Sequence, residues 1–349
     1  MGQRKGERIA VIGSGAWGTT LSMVATQAGN SVSLYVRDLD TATRMQESRR
    51  NQQYLPSFPI PESIDITSDL DTACRDAALI LLVVPSQTMR ENARAVVPHI
   101  GDAIVVSAAK GLERDSLKRM TEIIREEIGG GGASRVCALS GPNLSSEIAA
   151  GKPATSVIAG YDVSIAELAR DRLSTPLFRT YTNDDVIGVE IGGALKNVIA
   201  IGAGIADGLG AGDNAKAAFI TRGLAEIARL GITLGAHPLT FAGLSGLGDL
   251  IATCASPLSR NHFVGQELAK GRSLVDIRAG MSSVAEGVFT TEAACALARR
   301  AGIELPISEQ IYDVLFAGKS PIAAVAHLMR RDAKDELEEL RSATYPSIR

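Results

Sequence analysis

Two lysines and an aspartate stand in stretches that are otherwise apolar or rich in glycine, an arginine–asparagine pair follows in a polar loop, and their types outline acid–base chemistry on an anionic substrate. In Gly192-Gly193-Ala194-Leu195-Lys196-Asn197-Val198-Ile199, a lysine and an asparagine interrupt an apolar run, so both need partners when buried. Desolvation and a nearby cation such as Lys110 would each lower the pKa of Lys196, making it a general base near neutral pH. A lysine that snorkels from a helix surface is the alternative. Gly246-Leu247-Gly248-Asp249 offers a carboxylate to pair with that lysine, and Ser259-Arg260-Asn261 offers groups able to chelate a phosphate. Alone, each of these also reads as a helix cap or a surface charge.

A second chemistry begins near the N-terminus. Residues 9–12 form a short apolar run that leads into Gly13-Ser14-Gly15-Ala16-Trp17-Gly18 and then into a segment of helical period. In that context Gly13 permits a tight turn, Gly15 lets the backbone approach a pyrophosphate, and Gly18 lets helix and strand pack closely. The helix start supplies unpaired N–H groups. Cofactor preference is read from the end of the second strand, where Arg37 would accommodate the 2′-phosphate of NADP and Asp38 would bind the ribose hydroxyl of NAD. A shift of one residue in register decides between them, and a solvated charge pair is the third option.

These groups need a frame. In the first half of the chain, β-rich runs at 9–12, 31–36, 79–84, 104–107, 136–139 and 155–158 alternate with helical segments, which predicts an α/β, doubly wound Rossmann-type sheet. Ligands bind at the carboxyl edge of such sheets. That places Lys110, after the fourth run, and Gly141, Asn143 and Ser145, after the fifth, where a ligand would sit. Lys110 otherwise is an exposed lysine before a helix, and Asn143 or Ser145 otherwise caps one. Residues 113–128, with Leu117, Met120, Ile123 and Ile124, read as an amphipathic helix ended by a glycine turn at 129–132. From about residue 184, long Ala/Leu/Ile/Gly segments of helical spacing take over. The expected division is a dinucleotide-binding domain at 1–188 and a mostly α-helical substrate and dimerisation domain at 189–349. Glu286 begins a helix there or reaches a cofactor ribose, and the charged stretch 330–341 is a solvated helix and tail.

Composition removes several function classes. The 349 residues carry 36 Lys+Arg against 39 Asp+Glu, a formal charge of -3, which gives no excess of cations to attract nucleic acid or an anionic bilayer. The four cysteines, Cys74, Cys137, Cys254 and Cys295, lack the paired spacing of a zinc site or redox dithiol. No His/Asp/Glu cluster suggests a metal. Apolar runs such as 77–84 and 198–206 fall below the roughly 20 residues that span a bilayer, and 9–12 is too short for a signal-peptide core. A soluble cytoplasmic protein is expected.

In series, Gly13-x-Gly15-x-x-Gly18, Ala109-Lys110-Gly111-Leu112-Glu113, Ser140-Gly141-Pro142, Gly192-Gly193-Ala194-Leu195-Lys196-Asn197-Val198, Thr221-Arg222-Gly223-Leu224 and Gly246-Leu247-Gly248-Asp249 resemble the bacterial NAD(P)-dependent glycerol-3-phosphate dehydrogenase family. The resemblance runs from about residue 8 to 329. It implies reversible hydride transfer between sn-glycerol 3-phosphate and NADP or NAD, giving dihydroxyacetone phosphate, and a role in glycerophospholipid synthesis. It implies that Lys196 moves the C2 hydroxyl proton and that Lys110, Gly141, Asn143, Lys196, Asp249, Ser259, Arg260 and Asn261 contact the substrate. The implied cofactor contacts are Gly13, Gly15, Ala16, Trp17, Gly18, Arg37, Lys110, Ser145, Arg260, Val284 and Glu286. A homodimer without nucleic-acid or membrane partners is implied as well. Many relatives have Ser or Thr in place of Asn143 and Ala in place of Ser145. A backbone contact survives those changes, and a hydroxyl contact at Asn143 does not.

Two other readings compete. A β-hydroxyacid-type dehydrogenase also uses a lysine base, but it spaces lysine and asparagine by a helical turn, whereas Lys196 and Asn197 are adjacent. A non-catalytic NADP-sensing module would need the glycine loop without the cluster Lys110, Lys196, Asp249 and Arg260.

Overall fold

A computed structural model describes residues 6–281, 285–332 and 335–336. The chain divides into two compact units: Met1–Ala109 with Met120–Val186, and Lys110–Arg119 with Ile187–Arg349.

Among its described residues the first unit holds ten strands, β1 (Arg8–Ile12), β2 (Ser31–Tyr35), β3 (Arg50–Asn51), β4 (Leu55–Pro59), β5 (Ile64–Thr67), β6 (Leu79–Leu82), β7 (Ile104–Ser107), β8 (Val136–Ser140), β9 (Ala154–Gly160) and β10 (Phe178–Asn183). Its helices are α1 (Ala16–Gln27), α2 (Leu39–Ser48), α3 (Leu70–Cys74), α4 (Met89–Val96), α5 (Met120–Ile128), α6 (Ser145–Ala149) and α7 (Val163–Leu173). Eight strands form one sheet in the order β10-β9-β8-β7-β6-β1-β2-β5, and β3 pairs with β4 apart from it. Alternation along each strand feeds both faces: Ile9 and Val11 enter one core, Ala10 and Ile12 the other. Ile9, Val11 and Ile12, each fully buried, stabilise by about 1.5–3 kcal/mol apiece. Ile12 lies beside Tyr35 and Leu82, and Leu82 beside Ser107, so the carboxyl ends of β1, β2, β6 and β7 are level.

The α/β Rossmann-type expectation holds, with changes of detail. The run expected at 155–158 is β9, which runs antiparallel to β8, with β10 parallel to β9 beyond it. The fifth and sixth expected runs are thus a reversal, made through the short α6, instead of a parallel crossover. β5 and β10, half polar in sequence, join the sheet as its two edges.

The helix expected over 113–128 is shorter. Only α5, from Met120, is helical, because Leu117 adopts a left-handed φ of 61° and Leu112 bridges back to Arg119. This segment folds with the second unit, where Leu112 is part of the core and Arg119 pairs with Glu190 at 2.8 Å.

The second unit is helical among its described residues: α8 (Val186–Gly208), α9 (Asp213–Thr233), α10 (Asp249–Ala255), α11 (Arg260–Ala269), α12 (Leu274–Ala279), α13 (Glu286–Ala301), α14 (Pro306–Phe316) and α15 (Pro321–Met329). Its core gathers Leu195, Val198, Ile201, Leu230, Val264 and Leu297. The apolar run 198–206 is the second half of α8, a 23-residue helix long and apolar enough to cross a membrane, yet 89% of its most apolar window is buried inside the protein. α8 is therefore the central helix of this unit. All four cysteines are buried and unpaired, and burial pushes their thiols up to about 11 for Cys74 and about 12 for the others. Most of the charged stretch 330–341 and the site residue Val284 lie outside the described residues.

Candidate active site

In the first unit the glycine loop joins β1 to α1. Gly13 has a φ of 116°, and a Cβ on Gly18 would stand 1.8 Å from the Gly13 carbonyl oxygen, so side chains are excluded at both. Asn51 holds the loop from the side, donating to the Ser14 carbonyl at 2.8 Å and to the Thr19 hydroxyl at 2.9 Å. Gly15 caps α1 with no side-chain bond, and a Cβ there would meet nothing within 4 Å. The first N–H groups of Ala16 and Trp17 thus open onto the sheet's carboxyl edge, as a pyrophosphate requires. Trp17 packs against Phe178, with ring centroids 6.4 Å apart.

At the same edge, Ser107 Oγ, Ser140 Oγ and Asn143 Nδ2 are buried with no hydrogen-bond partner among the described residues. Orphans of this kind cost about 1–3 kcal/mol each, and they fit a polar ligand such as a dinucleotide. Asn143 turns its Oδ1 to the Ser156 hydroxyl at 2.8 Å, and Gly141 has a φ of 130°. Neither Asn143 nor Ser145 caps α6: Leu144 holds that position without a side-chain bond, and Ser145 is the first helical residue. At the end of β2, Asp38 caps α2 by accepting the Thr41 N–H at 2.8 Å. Those hydrogen bonds from the Thr41 hydroxyl and N–H hold the Asp38 carboxyl below its usual range. Arg37 is exposed beside it.

The second unit assembles Lys110, Lys196 and Asp249. Asp249 is the first residue of α10 and is 1% exposed. Its Oδ2 accepts from the Lys110 ammonium at 2.6 Å, and its Oδ1 accepts from Lys196, whose ammonium also donates to the Thr253 hydroxyl at 2.6 Å. That hydroxyl donates in turn to the Asp249 carbonyl at 2.7 Å. Thr253 can therefore only accept from Lys196. Burial drives the Lys196 ammonium from 10.5 down to about 8, with Asp249 opposing the fall and Lys110 adding to it. Lys196 is thus neither snorkelling nor exposed, and Asp249 is no surface charge.

One residue along α8, Asn197 accepts from Asn261 Nδ2 at 2.9 Å, and Asn261 Oδ1 accepts the Gly287 N–H at 3.0 Å. Ser259 caps α11 by accepting the His262 N–H at 3.2 Å. Arg260, exposed, and Asn261, buried, therefore open a helix whose N-terminus favours an anion. Glu286 begins α13, next to Gly287.

Thr253 and Asn51 were not singled out in the sequence. Thr253 lies four residues after Asp249, the spacing that puts two side chains on one helix face, and that signal was available. Asn51, 37 residues from the carbonyl it holds, left no local trace.

A Rossmann-type unit with an anion-ready loop, and a helical unit with a buried lysine beside a carboxylate, define a nucleotide-dependent dehydrogenase. Residues 8–166 match the N-terminal, and residues 185–326 the C-terminal, family model of NAD-dependent glycerol-3-phosphate dehydrogenase. A glycerol-3-phosphate dehydrogenase (NAD(P)+) of Dehalococcoides mccartyi is 49% identical over 332 residues, covering 95% of this chain and 92% of the relative. That of Streptomyces avermitilis is 47% identical over 330 residues, covering 94% and 98%. The crystal structure of glycerol-3-phosphate dehydrogenase from Coxiella burnetii superposes with a TM-score of 0.89 at 35% identity, covering 94% of this chain and all 100% of that one. The chain belongs to the NAD(P)-dependent glycerol-3-phosphate dehydrogenase family.

Proposed function

We propose that the chain interconverts dihydroxyacetone phosphate and sn-glycerol 3-phosphate, with Lys196 as the group that moves the proton at C2. The observation that carries this reading is the buried Lys196, lowered to about 8 between Asp249 and Thr253. Two of its donors are engaged by those partners, and an ammonium has three. The remaining N–H serves the carbonyl oxygen of the substrate.

The bound nicotinamide supplies or accepts the hydride. In reduction, Lys196 gives its proton to the oxygen as negative charge develops there, and Lys110 adds a second positive charge beside it. In oxidation, neutral Lys196 takes the hydroxyl proton. Asp249 holds both ammonium groups in place without itself donating. Ser259, Arg260 and Asn261, at the start of α11, take the substrate phosphate, and Gly141 and Asn143 complete the substrate contacts. Gly13, Gly15, Ala16, Trp17 and Gly18 hold the pyrophosphate, with Ser145, Lys110, Arg260, Val284 and Glu286 as further cofactor contacts. We assign the 2′-phosphate of NADP to Arg37, an exposed guanidinium at the end of β2. The first unit is then the dinucleotide-binding domain and the second the substrate and dimerisation domain of a cytoplasmic homodimer that supplies glycerophospholipid synthesis.

The test follows loss of reduced-nicotinamide absorbance when dihydroxyacetone phosphate is added, with NADPH and NADH in separate runs and phosphate-free dihydroxyacetone as control. Oxidation that depends on the phosphorylated ketone is expected. Nucleotide binding without such turnover would move the substrate class elsewhere.

A further inference from the structure

At the far end of α8 lies a second carboxylate that none of the roles above uses. Asp207 Oδ2 accepts from the Lys216 ammonium at 2.6 Å and meets His262 Nε2 at 2.7 Å. Since a carboxylate only accepts, His262 is the tautomer or cation with a proton on Nε2. Burial raises the Asp207 carboxyl, and the hydrogen bonds from Lys216 and His262 outweigh it, leaving it below the usual range. The charged form is therefore the one that this arrangement favours.

Three helices meet at that oxygen: the last turn of α8, the first turn of α9 and the first turn of α11. The crossing of α8 and α11 has bare backbone at its centre. A Cβ on Gly204 would stand 2.0 Å from the His262 carbonyl oxygen, and one on Gly265 would stand 1.9 Å from that of Ile201. Around that close approach, Ile201 and Ile205 of α8 and Val264 and Leu268 of α11 belong to one apolar core, whose contacts carry no direction of their own. Directional side-chain ties flank it: Asn261 to Asn197 at 2.9 Å toward the start of α8, and His262 to Asp207 at 2.7 Å toward its end.

We propose that the His262–Asp207 tie is a positioning device for substrate phosphate: it locks α11 on α8, and so fixes where Arg260 and Asn261 present their donors. This rests on the assignment of the phosphate to the start of α11. His262 is a positioning residue, 5% exposed, which acts through the helix it belongs to. A displacement of about 1 Å in such a group is enough to cost on the order of tenfold to a hundredfold.

The experiment measures KM for dihydroxyacetone phosphate, KM for the reduced nucleotide, and kcat in His262→Ala, Asp207→Ala and His262→Gln, with Arg260→Ala as the reference for loss of the phosphate site. Cutting the tie from either side should raise KM for the phosphorylated ketone on the order of tenfold and leave kcat within about twofold, with a smaller rise in the nucleotide KM because Arg260 also meets the cofactor. His262→Gln retains an N–H at about the same reach and should restore KM. A wild-type KM in both alanine variants overturns the proposal, and so does a KM rise that glutamine fails to rescue or that comes with equal losses in kcat and nucleotide binding. If both alanine variants fail to fold, His262→Gln decides alone: wild-type KM in a folded protein is expected, and a raised KM overturns the tie. A wild-type KM in Arg260→Ala would instead bring down the assignment of the phosphate to α11, separately from the tie.

Discussion

In the first unit, the groups fit for an anion are main-chain N–H groups at the start of α1, released by glycines, and the nearby side-chain charges, Arg37 and Asp38, are exposed. In the second unit the working groups are side-chain charges taken out of water, with Asp249 1% and Lys196 7% exposed. Solvent screens the first set, so Asp38 is lowered chiefly by the Thr41 groups that touch it, with Arg44 adding least. Desolvation dominates the second set and pulls Lys196 down, although a carboxylate lies against it. Asp207, at the other end of α8, is the control for this comparison: it too meets two side chains that donate to it, Lys216 and His262, but at 29% exposure the carboxylate is held in its charged form. Similar partners thus accompany a lysine lowered to about 8 where burial is nearly complete and a carboxylate held below its usual range where water remains.

The largest effect that this contrast predicts is at Lys196. Lys196→Ala should keep the fold and nucleotide affinity, since Lys110 still neutralises Asp249, while kcat falls by on the order of 10² to 10⁴. Near-wild-type turnover would remove Lys196 from proton transfer and leave the node a structural one. Nucleotide titrations and circular dichroism on the same protein separate lost chemistry from lost structure.

A smaller and more specific effect is expected in the pH profile. In the role proposed for it, Lys196 is protonated when the ketone is reduced and neutral when the alcohol is oxidised. Reduction should therefore decline as pH rises through about 8, and oxidation should decline as pH falls through about 8. Asp249 is the interaction that keeps this pKa up, so Asp249→Asn should slide both limbs to lower pH, besides lowering the rate. An unchanged profile in the variant would mean that another group titrates, and a shift to higher pH would mean that the sign of the Asp249 contribution is wrong.

The same contrast explains what could be read in advance. The glycine loop was legible because strand, turn and helix start are contiguous, and each glycine answers a local steric demand. Lys196 was legible because a cation inside an apolar helical period breaks its own pattern. The segment 113–119 was misread because Leu117, Met120, Ile123 and Ile124 satisfy a helical period that the left-handed Leu117 does not follow. Pairings across the chain, such as His262 with Asp207 at 55 residues of separation or Asn51 with the Ser14 carbonyl, leave no periodic trace. The edge strands β5 and β10 hid for a related reason, since half of each faces away from the core and reads as polar loop.

The smallest predicted effect belongs to the exposed side of the comparison. Arg37 can be removed without stranding a buried charge, so Arg37→Ala should not alter folding or kcat. What it should lose is a charge-assisted bond to a phosphate, which raises KM for NADPH on the order of tenfold and leaves KM for NADH nearly unchanged. Asp38 accepts both Thr41 bonds on Oδ1, the N–H at 2.8 Å, and holds the start of α2 through that one oxygen. Equal losses for both nucleotides would instead make Arg37 a contact to a part common to both. The discrimination would then have to come from a residue other than Arg37.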